Sequence, residues 1–339
     1  MNDPQLGTVL VTGAGGAAAV TVLRSLRGHA QLVAADMDPV AVGLYLTDAS
    51  RRLLLPRGDD PEFVDTLLAA AIEHGADVVV PTVDVELRDV SAARDRFAAH
   101  GIALLVESVE TLDMCLDKWE LMQACSRVVR VPGTVLLRSR ADLDDVRALG
   151  EPFIVKPRRG AGGRGFRIVA SVDDLEDAEF DGSIIAQELL PGAEFSIDVL
   201  ARPGGGVVAA VPRRRDKVDS GIAVAGRTVA DLVLESFGRK VAEVIGAQGV
   251  VNVQAKLDAS GRPALLEVNA RFPGTMALTQ AAGIDMPLLA VQALLGHPLP
   301  DHMDYREVAV VRHWEDIAVP VEEYADIPSA RPRAQLVTG

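Results

Sequence analysis

The sequence predicts an α/β domain built on a parallel sheet, followed by an α+β unit built on antiparallel sheets. Three observations carry this. Residues 1–111 alternate short apolar, β-prone runs with stretches of helical periodicity, the pattern of right-handed strand–helix–strand crossovers. From Glu151 onward the texture becomes strand–loop–strand, which suits antiparallel pairing. The chain is 49% hydrophobic but only 4% aromatic, so Ala, Val and Leu must build the core, and such runs favour buried strands covered by helices.

In the first third, Thr8–Thr12 reads as a strand, followed by a Gly-rich turn and an Ala-rich helix to about Arg27. Gln31–Asp36 and Arg52–Leu55 are further strands. Glu62–His74 carries Phe63, Leu67, Leu68, Ala71 and Ile72 at helical spacing. Asp77–Pro81 is an apolar strand, Glu86–Ala99 a helix and Ile102–Val106 a strand. Ser108–Gln123 reads as one helix with Ser108 as its N-cap, and Val131-Pro132-Gly133 breaks the chain after it. Strands follow at Phe153–Lys156, Phe166–Val169, Ile184–Glu188, Phe195–Ala201 and Val207–Val211. A helix at Ala230–Ile245 precedes strands at Val250–Leu257 and Ala264–Glu267. A helix near Met286–Leu295 and a strand at Val308–Arg312 complete the pattern. The domains this gives are 1–111, 112–300 and a tail over 301–339, with the middle one divided into a small subdomain over about 125–190 and a larger one over about 191–300.

Composition excludes several function classes. Acidic residues outnumber basic ones 48 to 34, for a net charge of −14, which argues against a nucleic-acid partner. No apolar run approaches the roughly 18–20 residues that cross a bilayer. The start MNDPQLG has neither a basic n-region nor an apolar h-region, so the expected compartment is the cytoplasm. Cys115 and Cys125 lie ten apart, about 80° from a shared helix face, and read as buried or idle thiols. The six His are scattered, and no Ser–His–Asp or Cys–His arrangement is visible. Arg so dominates the basic residues that each of the five lysines (Lys118, Lys156, Lys217, Lys240, Lys256) marks a place to ask what only an ammonium does.

The first motif is Gly13-Ala14-Gly15-Gly16-Ala17-Ala18 after the first strand, with Asp36 closing the second. Its form is G-x-G-x-x-A, with an acid where a dinucleotide's ribose needs one, so it admits an NAD(P)-dependent oxidoreductase. The same glycines also serve a plain strand-to-helix turn.

The second motif, FIVKPRRGAGGRGFRIV, is more specific. An apolar strand delivers Lys156, and Gly160, Gly162, Gly163 and Gly165 form a loop before the next strand. Backbone N–H groups in such a loop are open to an anion, and Lys156 points a compact charge at the same place. Lys118 heads the helix in DKWELM. In IIAQELLPGAEFSIDVL, the backbone at Gln187–Leu190 suits the edge of a base and the Glu194 carboxylate suits a ribose. A hairpin closed by Asp258-Ala259-Ser260-Gly261 carries Gln254 on one strand and Glu267, Asn269 and Arg271 on the other. Period two places those three on one face, opposite apolar Leu266 and Val268. An acid, an amide oxygen and a guanidinium together suit Mg²⁺ on a triphosphate, while a bland polar sheet face remains the alternative for any one of them. Asp84 and Glu86 follow an apolar strand, where open α/β sheets bind ligands; they suit a substrate ammonium, and Glu86 equally suits a first-turn helix acid.

On these segments the chain resembles the ATP-grasp superfamily from about Leu112 to Pro298, and more closely the branch similar to the carbamoyl-phosphate synthase large subunit. Its first third resembles the family's Rossmann-like pre-ATP-grasp domain. The resemblance implies that Lys118 and Lys156 bind ATP phosphates under the Gly160–Gly165 loop, that Glu188 and Leu190 offer backbone groups to adenine, and that Glu194 holds the ribose. It implies Mg²⁺ or Mn²⁺, two ions, on Glu267 and Asn269 with Gln254 opposite, and Arg271 facing the transferred phosphoryl. Gln254 stands where many relatives carry an acid. The resemblance also places the run Arg213, Arg214, Arg215, Lys217 near an acceptor carboxylate, so Arg214, Arg215 or Lys217 is expected to hold the substrate acid unless the run is a solvated turn.

The expected function is an ADP-forming carboxylate–amine ligase for small acids such as amino acids, with small-molecule partners and scope for a homodimer. The alternatives are the NAD(P)-dependent oxidoreductase and a non-catalytic ATP-binding regulator.

Overall fold

The computed structural model describes residues 6–160, 165–175, 180–219, 222–313 and 315–332. Its N-terminal part comprises β1 (Thr8–Val11), α1 (Ala17–Leu26), β2 (Gln31–Asp36), β3 (Arg52–Leu54), α2 (Phe63–Glu73), β4 (Val78–Val80), α3 (Asp84–Ala92), α4 (Arg94–Ala98) and β5 (Ala103–Leu104). The five strands pair in parallel in the order β3-β2-β1-β4-β5. The order reverses between β1 and β4, so the loops leaving those two strands diverge and open a crevice. Leu10, Val33 and Val79 pack with Phe63, Leu67 and Phe97 on one face, while Val9, Val11, Val78 and Val80 face the other. Burial on both faces is why these strands read as unbroken apolar runs.

Two predicted helices are each divided. The stretch expected over Glu86–Ala99 turns at Ala93, and Arg94 at the start of α4 donates to the carbonyls of Leu104 and Val106 at 3.0 and 2.6 Å. Ser108 caps its helix as expected, accepting from the Thr111 N–H at 3.1 Å. That helix stops at Asp117, giving α5 (Val109–Leu116) and α6 (Lys118–Cys125). Asp117 adopts an extended backbone and accepts from the N–H groups of Trp119 and Glu120, so a fresh helix N-terminus begins at Lys118. Cys115 and Cys125 are buried free thiols.

Next come β6 (Thr134–Leu136), α7 (Leu143–Ala148), β7 (Phe153–Pro157), β8 (Arg167–Val169) and β9 (Ile184–Glu188), whose strands form an antiparallel sheet in the order β6-β9-β7-β8. One face packs Val135, Phe153, Val155 and Ala186 into a small core. The other carries a row in cross-strand register: Thr134, Gln187, Ile154 and Ile168.

The remainder comprises β10 (Glu194–Ala201), β11 (Val207–Asp219), β12 (Ile222–Thr228), α8 (Leu232–Val244), β13 (Val250–Leu257), β14 (Pro263–Asn269), α9 (Met276–Ala281), α10 (Met286–Leu294) and β15 (Ala309–Val311). The sheet order is β14-β13-β10-β11-β12-β15. The Arg213–Lys217 run is no turn: β11 continues through it, with Arg213 and Arg214 paired to β10 and the run paired to β12 across register shifts at Lys217. Met276, Met286 and Val291 pack with Val9, Val11, Leu200 and Val211, so the parallel sheet and the six-stranded sheet share one core. The tail returns to the parallel sheet. Leu54 N–H donates to Pro328 O and Ala330 N–H to Leu54 O, both at 2.9 Å, which covers the β3 edge.

Candidate active site

All three sheets border one cavity of about 1160 Å³. Its floor is the six-stranded sheet. Register pairs Glu194 with Lys256 and Ser196 with Gln254 between β10 and β13, then Gln254 with Glu267 and Asn252 with Asn269 between β13 and β14. These side chains reach the cavity together. Beneath them Asp198, fully buried, accepts from Arg213, from Asn252 Nδ2 at 2.7 Å and from Thr279 Oγ1. Arg213 also donates to Thr275 O at 3.2 Å. These bonds offset part of the cost of burying the pair and join β10, β11, β13 and α9 under the floor.

The β13–β14 register shifts beyond Gln254, where Ala255 pairs with Leu265 and Leu266 is the extra residue. This bulge corrects the expected alternation. Leu266 shares the cavity with Glu267, while Leu265 and Val268 enter the core.

At one end of the floor Lys156, near the end of β7, and Lys118, first in α6, face Glu267. Lys118 Nζ donates to Gly160 O at 2.6 Å. Burial lowers the pKa of both ammonium groups, and Glu267 opposes the shift in each; Lys156, further lowered by Lys118, falls to about 8. Two desolvated cations against one carboxylate leave excess positive charge in a confined space, which a polyanion would neutralise.

Two residues back along β7, about 7 Å away, Ile154 starts an apolar strip with Ile168, which is 57% exposed. Gln187 adjoins Ile154 in the row and is 1% exposed. Its Nε2 donates to Thr134 Oγ1 at 2.9 Å, that hydroxyl donates to Pro132 O at 2.8 Å, and Gln187 Oε1 has no partner.

The opposite end lies in the crevice of the parallel sheet, bordered by the Gly13–Gly16 loop, Asp36, Arg57, Asp59 and Thr82–Glu86. Met37, Val40, Val42, Val83 and Val85 are exposed apolar side chains on its walls. Arg271 reaches across from the loop after β14 and grips Asp84 with both arms, Nε to Oδ1 at 2.6 Å and Nη2 to Oδ2 at 2.8 Å.

The family model for the PylC-like N-terminal domain matches residues 9–105, and the model for the ATP-grasp in the biosynthetic pathway with Ter operon matches residues 181–317. Similar solved structures include the biotin carboxylase–β,γ-ATP complex from Campylobacter jejuni. It is 22% identical with a TM-score of 0.74, over 86% of this chain and 72% of that chain. The chain has an ATP-grasp fold. N5-carboxyaminoimidazole synthetase from Staphylococcus aureus complexed with ADP shares it at 17% identity and a TM-score of 0.68, over 89% of this chain and 81% of that one. L-amino acid ligase from Bacillus licheniformis does so at 18% and 0.63, over 85% and 74%.

Within the ATP-grasp cavity, the structure gathers Lys118, Lys156, Gly160 and Gln187 with Glu194, Gln254, Glu267, Asn269 and Arg271. Gly165 lies at the loop's far end with a φ of +74°, where an added Cβ would meet the Pro157 ring at 2.8 Å. Gly162 and Gly163 lie outside the described residues. The other expected residues lie as follows. Gln187 and Leu189 face the cavity, so alternation turns the Glu188 side chain away: its carboxylate takes Arg130 and the Gly133 N–H, and its own N–H donates to Gly133 O, while its expected role was one of the backbone alone. Leu190 is buried and does not line the cavity. Of the basic run only Arg215 borders the cavity, where it pairs with Glu194. Arg214 pairs with Asp216 at 3.3 Å and Lys217 is exposed, both off the cavity because side chains alternate along β11 and its register shifts at Lys217. Neither candidate for a substrate ammonium is at liberty. Asp84 is held by Arg271, and Glu86, 3% exposed, accepts from Thr12 Oγ1 and the N–H groups of Thr82 and Val83 at the start of α3. In the first glycine loop, Asp36 accepts from the Gly15 N–H at 2.7 Å, and Gly43 packs so closely on the Ala14 carbonyl that a Cβ would lie 2.1 Å from it.

Sequence reading missed Asn252, Ser196 and the apolar row of Ile154 and Ile168. Period two from Gln254 would have found Asn252, and it also brings Lys256, left without a role, to the floor. As a metal site, Glu267, Asn269 and Gln254 offer one carboxylate and two amide oxygens; among the described residues no cluster of three or more His, Cys, Asp or Glu could hold a metal. A set this weakly charged fits a hard ion that takes its remaining oxygens from phosphates.

Proposed function

We propose that the chain is an ATP-dependent, ADP-forming carboxylate–amine ligase acting on a small acid, an amino acid in the first instance. The observation that carries this is the meeting of Lys118, Lys156 and Glu267 at one end of a cavity that runs on, past Arg271, into the crevice of the parallel sheet. At about 1160 Å³ the cavity exceeds the roughly 300–1,000 Å³ of single-ligand pockets, which supports more than one substrate. The amino acid ligase among the similar structures supports an amino acid as the acid.

Lys118 and Lys156 would hold the ATP phosphates, and Glu267 and Asn269, with Gln254 opposite, would hold Mg²⁺ or Mn²⁺, two ions in this reading. Bound there, the metal offsets charge on the phosphoryl oxygens during transfer. The γ-phosphoryl passes to a carboxylate oxygen of the acid as its bond to ADP breaks. Arg271, held by Asp84, presents its guanidinium where charge accumulates on that phosphoryl. The amine then attacks the acyl carbon, expelling phosphate and losing a proton to leave an amide. Glu194, on the floor beside Arg215 and Lys256, is the group for the ribose.

Among the described residues no helix is long and apolar enough to cross a membrane. A cytoplasmic enzyme assembled as a homodimer completes the reading. The test is a screen of amino-acid pairs with Mg²⁺ and ATP. ADP and phosphate that appear only with both an acid and an amine support the ligase; AMP and pyrophosphate refute it, and tight ATP binding with no turnover points to a regulatory binder.

A further inference from the structure

Half of the large apolar side chains exposed among the described residues border the one cavity, and five of those lie at its crevice end. Met37, Val40 and Val42 come from the segment after β2, and Val83 and Val85 from the start of α3. They therefore stand on either side of the Gly13–Gly16 loop that follows β1. That loop stays low between them. A Cβ added to Gly13 would lie 2.3 Å from Val83 Cγ2, and one added to Gly15 would lie 3.2 Å from Ala41 Cβ. Two aliphatic walls over a glycine floor make a trough, and apolar surface gathered inside a cavity of this kind marks ligand contact.

The charged side chains around the trough are turned to partners of their own. Asp36 accepts from the N–H groups of Gly15 and Asp38 at 2.7 and 3.0 Å, and Asp38 accepts from that of Val40 at 3.0 Å. Arg57 and Asp59 face each other, Nε to Oδ1 at 2.9 Å and Nη2 to Oδ2 at 3.1 Å. Glu86 is bound at the head of α3, and Asp84 is gripped by Arg271. Asp84 lies between Val83 and Val85 in the chain, so the guanidinium assigned to the transferred phosphoryl is anchored beside an apolar wall.

Resting on the ligase reading above, we infer that the trough holds the side chain of the acid, and that this acid is an amino acid with an aliphatic or aromatic side chain. Its carboxylate lies at Arg271, where it receives the γ-phosphoryl. Its side chain extends away from the nucleotide, between Met37 and Val85. A charged or amide side chain would exchange water there for aliphatic groups and for charges that already have partners, and it is rejected on that exchange.

The experiment uses hydroxylamine as the amine, with Mg²⁺, ATP and the full chain. Its nitrogen attacks the acyl carbon of the acyl phosphate and loses a proton as phosphate leaves, so each acid that is activated yields its hydroxamate. Leucine, methionine and phenylalanine are compared with asparagine, aspartate and lysine, each as the racemate. The apolar three should give kcat/KM values about tenfold or more above the polar three. A polar acid that matches or exceeds them would overturn the inference and leave the ligase standing. No hydroxamate from any of the six would overturn the ligase reading, and the inference with it. Met37 and Val85 are 58% and 54% exposed, so Met37→Lys and Val85→Lys leave the core untouched. Each should lower kcat/KM for leucine and raise it for aspartate, with the KM for ATP unchanged. An unaltered leucine-to-aspartate preference in both variants would overturn the placement of the side chain in the trough.

Discussion

Glu107 ties the parallel sheet to the start of β13. It is 2% exposed, its Oε2 accepts from the Gln248 N–H at 2.8 Å, and its other oxygen lies beside Gly249. Burial raises its pKa from 4.5 to about 7, against the lowering effects of the Gln248 N–H, Arg94 and the Gly249 N–H. A carboxyl raised on folding binds more protons in the folded state than in the unfolded state between pH 4.5 and 7. Stability from this group is therefore present below about 4.5 and lost as pH rises toward 7. The difference of about 2.5 pKa units corresponds to ~3 kcal/mol at 1.36 kcal/mol per unit. Glu107→Gln keeps an oxygen for the Gln248 N–H and removes the charge. In urea unfolding at pH 5 and pH 8, the wild-type protein should lose ~2.5 kcal/mol relative to Glu107→Gln over that interval, the rest of the effect falling below pH 5. The other titrating groups are common to both proteins and cancel in the difference. Parallel pH dependences would refute the buried, charge-averse carboxyl.

Three further outcomes follow from the site. Lys156→Ala should weaken ATP binding roughly ten- to hundredfold by calorimetry, since a hydrogen bond to a charged group is worth about 1.5–3 kcal/mol, while urea stability falls little because a desolvated cation is removed. Lys118→Ala should act in the same direction and also release the Gly160 carbonyl. Asp84→Asn, which cannot receive both arms of Arg271, should lower kcat about ten- to hundredfold through misplacement of the guanidinium while leaving the ATP Kd unchanged. A matching loss of ATP affinity would mean that Asp84 shapes the nucleotide site instead.

The parallel sheet was legible because β1, β2 and β4 are buried on both faces and read as uninterrupted apolar runs. The floor was legible in part, since period two along one strand places Glu267, Asn269 and Arg271 without knowledge of any partner. What escaped depends on cross-strand or distant pairing. The Leu266 bulge is a property of the β13–β14 register and leaves no mark on β14 alone. Arg213 looks like one of several surface cations until Asp198 is placed beneath it, and the run then becomes a strand with one buried member. The Arg271–Asp84 grip joins residues 187 positions apart, so neither neighbourhood announces the other. Asp117 lies inside the expected helix yet caps a new one, and the strand-end partner that fixes it there, Arg158 at 2.8 Å, is 41 positions away.

The central claim is phosphoryl transfer to a carboxylate oxygen, and isotope transfer tests it most directly. An amino-acid mixture ¹⁸O-labelled in its carboxylates, incubated with the protein, Mg²⁺ and ATP, should yield ADP and inorganic phosphate carrying one ¹⁸O, seen as an upfield-shifted ³¹P resonance. Unlabelled phosphate accompanying product, or label appearing in AMP with release of pyrophosphate, would contradict the account.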